Sequence, residues 1–417
     1  MKILFWNPTY VLGGGFNLLS NLLRHLSLHP EVTQITAAIH RDYDTMLPDG
    51  SWNAKVRRVL IDGDTPIEPM AAQHDVVYMT WPHGVAIPPV AAPTVCIFQD
   101  TILLDAYGFH TTKNFLHGME RAVHETVQGY STVIVTSHYT RQRFVDLVGE
   151  SAAERVVVLP HIASESPVLS ELSQPDRSTT FHDPSALLTP PCVSGPYFLY
   201  PANVSEHKNH LALMIALSKR QRTDTKLVLC GYGTEAIGGS EPTDNPYLNR
   251  LNKAIHDRGL RRGIDFDALG YVTDEQTESL LSHASGLVMP TRAEGMGLPI
   301  HEAIERKLPV IASDIPVLRE HYDARSNAIL WVDPECPGDI AEAWDRLCSR
   351  GDSYRALARE SNQSSGVSWD DLADQTVGIL NEAIQSHRPV VRVPLRKHRR
   401  WMKKIERSIK KLWRPAA

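Results

Sequence analysis

The segment Val288-Met-Pro-Thr-Arg-Ala-Glu-Gly-Met-Gly-Leu-Pro-Ile-His-Glu302 reads as a buried strand, a loop and the start of a helix. The apolar run ends at Pro290. Glu294, Gly295 and Gly297 follow in a loop, and Pro299 suits the first turn of a helix opening near Leu298. Glycines let a backbone approach a ligand closely, and the free N–H groups of a helix start favour an anion. A diphosphate fits that description. Glu294 lies in the loop and Glu302 about one turn into the helix, so the two acids can serve different parts of one elongated ligand. Carboxylates in such loops accept hydrogen bonds from ribose or sugar hydroxyls. Taken singly, Glu294 also fits a solvated loop and Glu302 an ordinary first-turn acid.

Outward from this segment, short apolar runs alternate with helical patterns. Strands are expected at Lys2–Trp6, Thr33–Ile39, Val76–Met79, Val95–Phe98, Thr132–Val135 and Arg155–Leu159, with helices at Asn17–Leu28, Thr111–Tyr130 and His138–Val148. The stretch from Ile162 to Gly195 is rich in Ser, Pro and Thr and reads as a linker or mobile insertion. The rhythm restarts at Pro196: strands at Tyr197–Tyr200, Lys226–Cys230, Asp265–Leu269, Gly286–Met289, Val310–Ala312 and Ala328–Val332; helices at His207–Lys219, Asp274–His283, Pro299–Arg306, Pro337–Ser349 and Ser368–Gln385. Repeated βαβ units imply parallel sheets covered by helices. The expected fold is therefore α/β, two Rossmann-like domains facing across a cleft. The expected boundaries are 1–160 for the N-terminal domain, 161–195 for the linker, 196–366 for the C-terminal domain, 367–387 for a closing helix and 388–417 for a basic tail. Ligands of open α/β sheets bind beyond the carboxyl ends of the strands, which places the site in the cleft.

A chain of 417 residues, 42% hydrophobic and 22% charged, suits about two soluble domains. Its five cysteines are scattered without a Cys-x-x-Cys, which argues against a disulfide framework or structural zinc and for a reducing compartment. No apolar run is long enough for a signal-peptide core or a membrane span. The net charge of −5 hides an asymmetry. Residues 388–417 hold twelve Lys or Arg and one acid, Glu406, whereas the first 387 residues hold 31 basic and 47 acidic groups. In the tail Trp401, Met402, Ile405, Ile409, Leu412 and Trp413 share roughly a third of a helix circumference, with basic residues on the remainder. Such a helix fits the interface of an anionic membrane, where each basic residue contributes about 1 kcal/mol. Packing on the protein's own acidic body is the alternative, and nucleic-acid binding fits poorly with that body. Segment 396–414 is thus expected to hold the protein peripherally on the inner face of the cytoplasmic membrane.

The central segment resembles the Glu-x7-Glu signature of retaining glycosyltransferases of the GT-B fold, family four (glycosyl transferases group 1). The likeness extends to Ala202-Asn-Val-Ser-Glu-His-Lys-Asn209, similar to the family's phosphate-binding stretch, and to Leu229-Cys-Gly-Tyr-Gly233, similar to its next glycine turn. Leu269-Gly-Tyr-Val272, Pro309–Pro316 and Val367-Ser-Trp-Asp370 continue it. In the first half Gly13-Gly-Gly15 resembles a glycine loop facing the diphosphate, and Phe98-Gln-Asp100 a strand-end His-Asp. The chain departs from the pattern at Asn203, where many members have arginine, at His207, where a subgroup has arginine, and at Gln99, where histidine is usual.

The resemblance implies that Glu294 contacts the donor sugar and Glu302 the ribose. It implies that Gly295, Met296, Gly297 and Leu298 hold the diphosphate or sugar through their backbone, and that Lys208 stabilises the leaving diphosphate. Gly14, Gly15, Asn203 and His207 would line the donor site, and Asp100 would serve the sugar or acceptor. The implied reaction is metal-independent, retaining transfer of a hexose-type unit, mannose-like as a first guess, from a nucleotide sugar to a glycan or lipid-linked acceptor. No cofactor or metal is expected: Asp42-Tyr-Asp44, Asp62-Gly-Asp64 and Asp265-Phe-Asp267 are unspecific, and there is no His-Glu-x-x-His. Two rival classes are a nucleotide-sugar epimerase or hydrolase on the same scaffold and a non-catalytic, membrane-docked glycan-assembly protein.

Overall fold

The computed structural model describes residues 1–10, 14–44, 53–62, 65–82, 90–105, 123–160, 193–222, 224–323, 327–360 and 367–386. The tail residues Trp401, Ile405, Ile409, Leu412 and Trp413, and the linker apart from 193–195, lie outside them.

The first domain is built on a seven-stranded parallel sheet of order β3-β2-β1-β4-β5-β6-β7. Its strands are β1 (Lys2–Asn7), β2 (Gln34–His40), β3 (Val56–Ile61), β4 (Val76–Met79), β5 (Thr94–Phe98), β6 (Thr132–Val135) and β7 (Val156–Val158). The central strands are buried along nearly their whole length, as a parallel sheet covered on both faces requires. One face packs against Leu19, Leu22, Leu23 and Leu26 of the helix Gly14–Leu28. The other carries Val123, Val127, Tyr130 and Phe144.

The second domain has six parallel strands, β10-β9-β8-β11-β12-β13: β8 (Tyr197–Pro201), β9 (Lys226–Cys230), β10 (Phe266–Ala268), β11 (Gly286–Met289), β12 (Val310–Ser313) and β13 (Ile329–Val332). Its core is a single cluster centred on Trp344, Phe198, Leu213 and Leu287. The helix Trp369–Gln385 then returns to the first domain, where Trp369, Leu372, Val377 and Leu380 join the core. Two His–Asp contacts, His25–Asp370 at 2.8 Å and His29–Asp374 at 3.0 Å, line the seam between this helix and Gly14–Leu28.

Several expectations are corrected. The first helix, expected from Asn17, starts at Gly14, so Gly14 and Gly15 form its first turn. The helix expected from His207 begins at His210, because Asn209 takes the left-handed conformation and interrupts it. Strand β3 and the helices Pro246–Asp257, Pro316–Tyr322 and Gly351–Glu360 are additional to the sequence reading.

Candidate active site

In each sheet the strand order reverses once, between β1 and β4 and between β8 and β11. These switch points leave crevices at the carboxyl ends of the strands. Of the residues singled out in the sequence, Lys208, Glu294, Gly295 and Asp100 meet there. Lys208 follows β8 and Glu294 follows β11, and Lys208 Nζ donates to Glu294 Oε1 at 2.5 Å. The Glu294 side chain is 6% exposed and that of Lys208 21%, so the carboxylate is buried and the ammonium keeps an open side.

The Lys208 segment is held at consecutive positions. The carbonyl of Glu206 accepts from Arg292 Nη1 at 3.2 Å. That of His207 accepts from Arg292 N at 2.7 Å and Thr291 Oγ1 at 3.1 Å. That of Lys208 accepts from Tyr200 Oη at 2.6 Å. Arg292 is itself oriented by Glu335, with Nε to Oε1 at 2.5 Å and Nη2 to Oε2 at 3.1 Å. Sequence reading passed over Tyr200, Asn209, Thr291 and Arg292, since nothing in their spacing ties them to Lys208. An asparagine directly after the lysine, a residue type that tolerates the left-handed region, is the one local clue the sequence holds.

Gly297 is the N-cap of the helix Leu298–Glu305 and is left-handed, at φ 73° and ψ 52°. A Cβ there would lie 2.7 Å from Leu318 Cδ2, so space as well as backbone angle requires glycine. Its carbonyl accepts from Ile300 N at 2.9 Å and from Tyr322 Oη at 3.2 Å. Glu302 is one turn further on. Among the described residues no group donates a hydrogen bond to its carboxylate. Burial raises its pKa, while Arg306 and His301 oppose that rise. Its charge adds to burial in pushing the Cys230 thiol, at the end of β9, up to about 12, which places Glu302 toward that strand end.

Asn203 and His207 are present but act differently from the cations they replace. Asn203 Oδ1 accepts from Tyr232 N at 2.8 Å, tying the loop after β8 to the loop after β9. His207 contributes its backbone carbonyl to the frame just described. From the first domain, Asp100 follows β5 and reaches the same crevice. Its Oδ1 accepts from Ile102 N at 3.0 Å. Burial pushes its carboxyl up to about 6; the Ile102 hydrogen bond and Lys208 pull it down, and Glu294 and Asp105 push it further up. Of the acidic pairs in the sequence, Asp64 lies outside the described residues, and the others meet side chains nearby: Asp42 meets His40, Asp44 meets Arg58, Asp62 meets Arg41, Asp265 meets Arg261 and Asp267 meets Lys226.

Comparison with known proteins shows what the chain is similar to. Residues 193–364 match the family model described as Glycosyl transferases group 1. Among curated relatives, O-antigen chain mannosyltransferase B of Escherichia coli is 27% identical over 288 residues, 68% of either chain. O-antigen chain mannosyltransferase RfbU of Salmonella typhimurium is 36% identical over 138 residues, 33% of this chain and 36% of that one. Among solved structures, Anabaena Alr3699/HepE in complex with UDP and glucose superposes with a TM-score of 0.61 at 17% identity, covering 93% of this chain and 99% of that one. WaaG, a glycosyltransferase involved in lipopolysaccharide biosynthesis, gives 0.59 at 13% identity, covering 91% and 99%. The fold is that of GT-B glycosyltransferases, two parallel-sheet Rossmann-like domains, and these findings support a glycosyltransferase. Among the described residues no helix is long and apolar enough to cross a membrane.

Proposed function

We propose that the chain is a retaining hexosyltransferase. It moves a mannose-like sugar from a nucleotide sugar to a hydroxyl of a glycan or lipid-linked acceptor, without a metal. The observation that carries this reading is the buried Glu294 paired with Lys208 at the second switch point, facing Asp100 from the first domain. The mannosyltransferase names of the relatives, and the UDP and glucose bound to a structural neighbour, support the substrate class.

In the proposed reaction the acceptor oxygen bonds to the anomeric carbon as the bond from that carbon to the phosphate oxygen breaks, on the same face of the sugar. The acceptor proton passes to the leaving diphosphate. Lys208 and the N–H groups at the start of Leu298–Glu305 stabilise the charge that develops there. The backbone of Gly295, Met296 and Leu298 lies along the diphosphate and sugar, Glu294 accepts from sugar hydroxyls, and Glu302 accepts from the ribose. Asp100 orients the sugar or the incoming hydroxyl, and closure of the cleft limits hydrolysis. The basic segment 396–414 would hold the enzyme on the inner face of the cytoplasmic membrane, close to a lipid-linked acceptor.

The test is a thermal-shift screen with UDP, GDP, ADP and dTDP on the wild type and Glu302→Ala, followed by product analysis. A ligand bound only by the folded state raises its stability by mass action. One nucleotide stabilising the wild type and not the variant is the expected result, and proton NMR of the product should show the donor's anomeric configuration. Donor consumption without an acceptor would turn the reading toward a hydrolase or epimerase. Nucleotide binding without turnover would turn it toward a docking protein.

A further inference from the structure

Asn209 stands out among the side chains around the Lys208–Glu294 pair. It is fully buried and left-handed at φ 59°, one of two non-glycine residues with positive φ among the described residues, the other being Lys307. Asn reaches this region at lower cost than most residues, but a buried position that holds it still requires a compensating contact. Its Nδ2 supplies two: it donates to the Pro290 carbonyl at 2.9 Å and the Pro334 carbonyl at 2.7 Å. Both partners are acceptors, so the amide orientation is determined by chemistry. Its Oδ1 is left buried without a partner, which folding alone does not favour.

The contacts have a direction. Asn209 directly follows Lys208, and Pro290 directly follows β11, four residues before Glu294. One side chain therefore ties the residue after the ammonium to the strand end before the carboxylate. The other contacts between these segments, from Arg292 and Thr291, hold residues 206 and 207 on the far side of Lys208. Without Asn209 the backbone around the lysine would be tied to the segment after β11 only through residues 206 and 207, with its own carbonyl held by Tyr200 of β8.

We propose that Asn209 is a positioning residue for the transfer reaction, setting the place of Lys208 relative to Glu294 through its left-handed backbone and its two bonds to Pro290 and Pro334. This rests on the proposed function, in which Lys208 stabilises the leaving diphosphate. Small displacements of such a group cost large factors in rate.

The test is a double-mutant cycle, which isolates coupling from independent structural effects. Asn209→Gly keeps the left-handed conformation and removes the side chain. It is expected to lower kcat at least about tenfold while KM for the donor changes little. In a Lys208→Ala background the same substitution is expected to change kcat by less than about twofold. Equal losses in both backgrounds, or an unchanged kcat, would overturn the proposal. Should Asn209→Gly fail to fold, Asn209→Asp is read the same way; it keeps size but aims a carboxylate at two carbonyls. If the wild type transfers no sugar, the functional reading has failed, and the cycle is read on nucleoside diphosphate affinity instead. Weakening by Asn209→Gly only when Lys208 is present sustains the positioning role, and equal or no weakening removes it.

Discussion

Gly295 of the second domain lies against Asp100 of the first: a Cβ at residue 295 would sit 2.9 Å from Asp100 Cβ and 3.2 Å from the Gln99 carbonyl oxygen. The donor loop and the first domain thus meet with no room for a methyl group. Gly295→Ala cannot be accommodated by a flexible side-chain tip, since Asp100 Cβ and the Gln99 carbonyl are close to or part of the backbone. The domains would have to part. Turnover is expected to fall at least about tenfold, with little change in melting temperature because neither domain core is touched. Activity at wild-type level would show that this contact is not made during turnover.

Asp100 gives the contact a pH dependence. Its carboxyl is raised from 3.8 to about 6, first by burial and then by Glu294 and Asp105, with Ile102 N and Lys208 opposing. An acid with a raised pKa is favoured in its protonated form by the folded, closed state. Its contribution is full at low pH and is lost as pH rises through about 6. Asp100→Asn removes the titration. The stability of the wild type relative to this variant should therefore fall from about pH 4 to about pH 6, between the unfolded and folded values, and level off above that, measured by denaturation in parallel buffers. A difference that stays flat, or rises, contradicts the burial of Asp100 in the cleft.

The Lys208–Glu294 pair separates stability from chemistry. Lys208→Met strands a buried carboxylate and is expected to cost about 3 kcal/mol. Adding Glu294→Gln removes the stranded charge and should restore much of the loss, while turnover remains at least about a hundredfold down. Melting temperature and kcat of the single and double variants check both halves. Recovery of activity together with stability would make the pair structural.

These residues show where the sequence was informative. Strands β8, β9, β11 and β12 are continuous apolar runs because both faces of a parallel sheet are buried. β3 lacks that signal because it is an edge strand in which Arg57 and Leu60 are exposed and Arg58 is half-buried. The helices Pro246–Asp257 and Pro316–Tyr322 begin with proline. In a linear reading that residue looks like a breaker, although it suits a first turn. Glu294 and Glu302 stand out in the sequence because they sit on a local strand-loop-helix pattern, and Lys208 stands out only through the resemblance of the stretch around it. Tyr200, Asn209 and Arg292 do not stand out, because their work is a side chain reaching a carbonyl on a different segment. Arg292 and Glu206 are 86 positions apart, and no local pattern records such a contact.

A second contact holds the two domains together away from the crevice. Glu320, on the helix Pro316–Tyr322, accepts from His138 N at 2.7 Å and Tyr139 N at 2.9 Å. These are the first N–H groups of the helix His138–Val148, and Ser137 satisfies the next, at Thr140, with 2.9 Å between N and Oγ. A carboxylate at a helix start is favoured by unsatisfied N–H groups and by the helix dipole. Here it comes from the opposite domain, so the cap exists only when the cleft is closed. The same short helix carries Leu318 against the Gly297 position and Tyr322 Oη on the Gly297 carbonyl, which ties closure to the donor loop. A cap of this kind is worth about 1 kcal/mol, enough to change the closed population several-fold. Glu320→Ala is expected to enlarge the radius of gyration in solution scattering and to raise KM for the acceptor, with the unfolding of each domain nearly unchanged. Glu320→Gln, which keeps an acceptor oxygen but loses the charge, should fall between the two. If Glu320→Ala stays as compact and as active as the wild type, closure is held by the Gly295–Asp100 surface and the crossing helix, and Glu320 merely follows it.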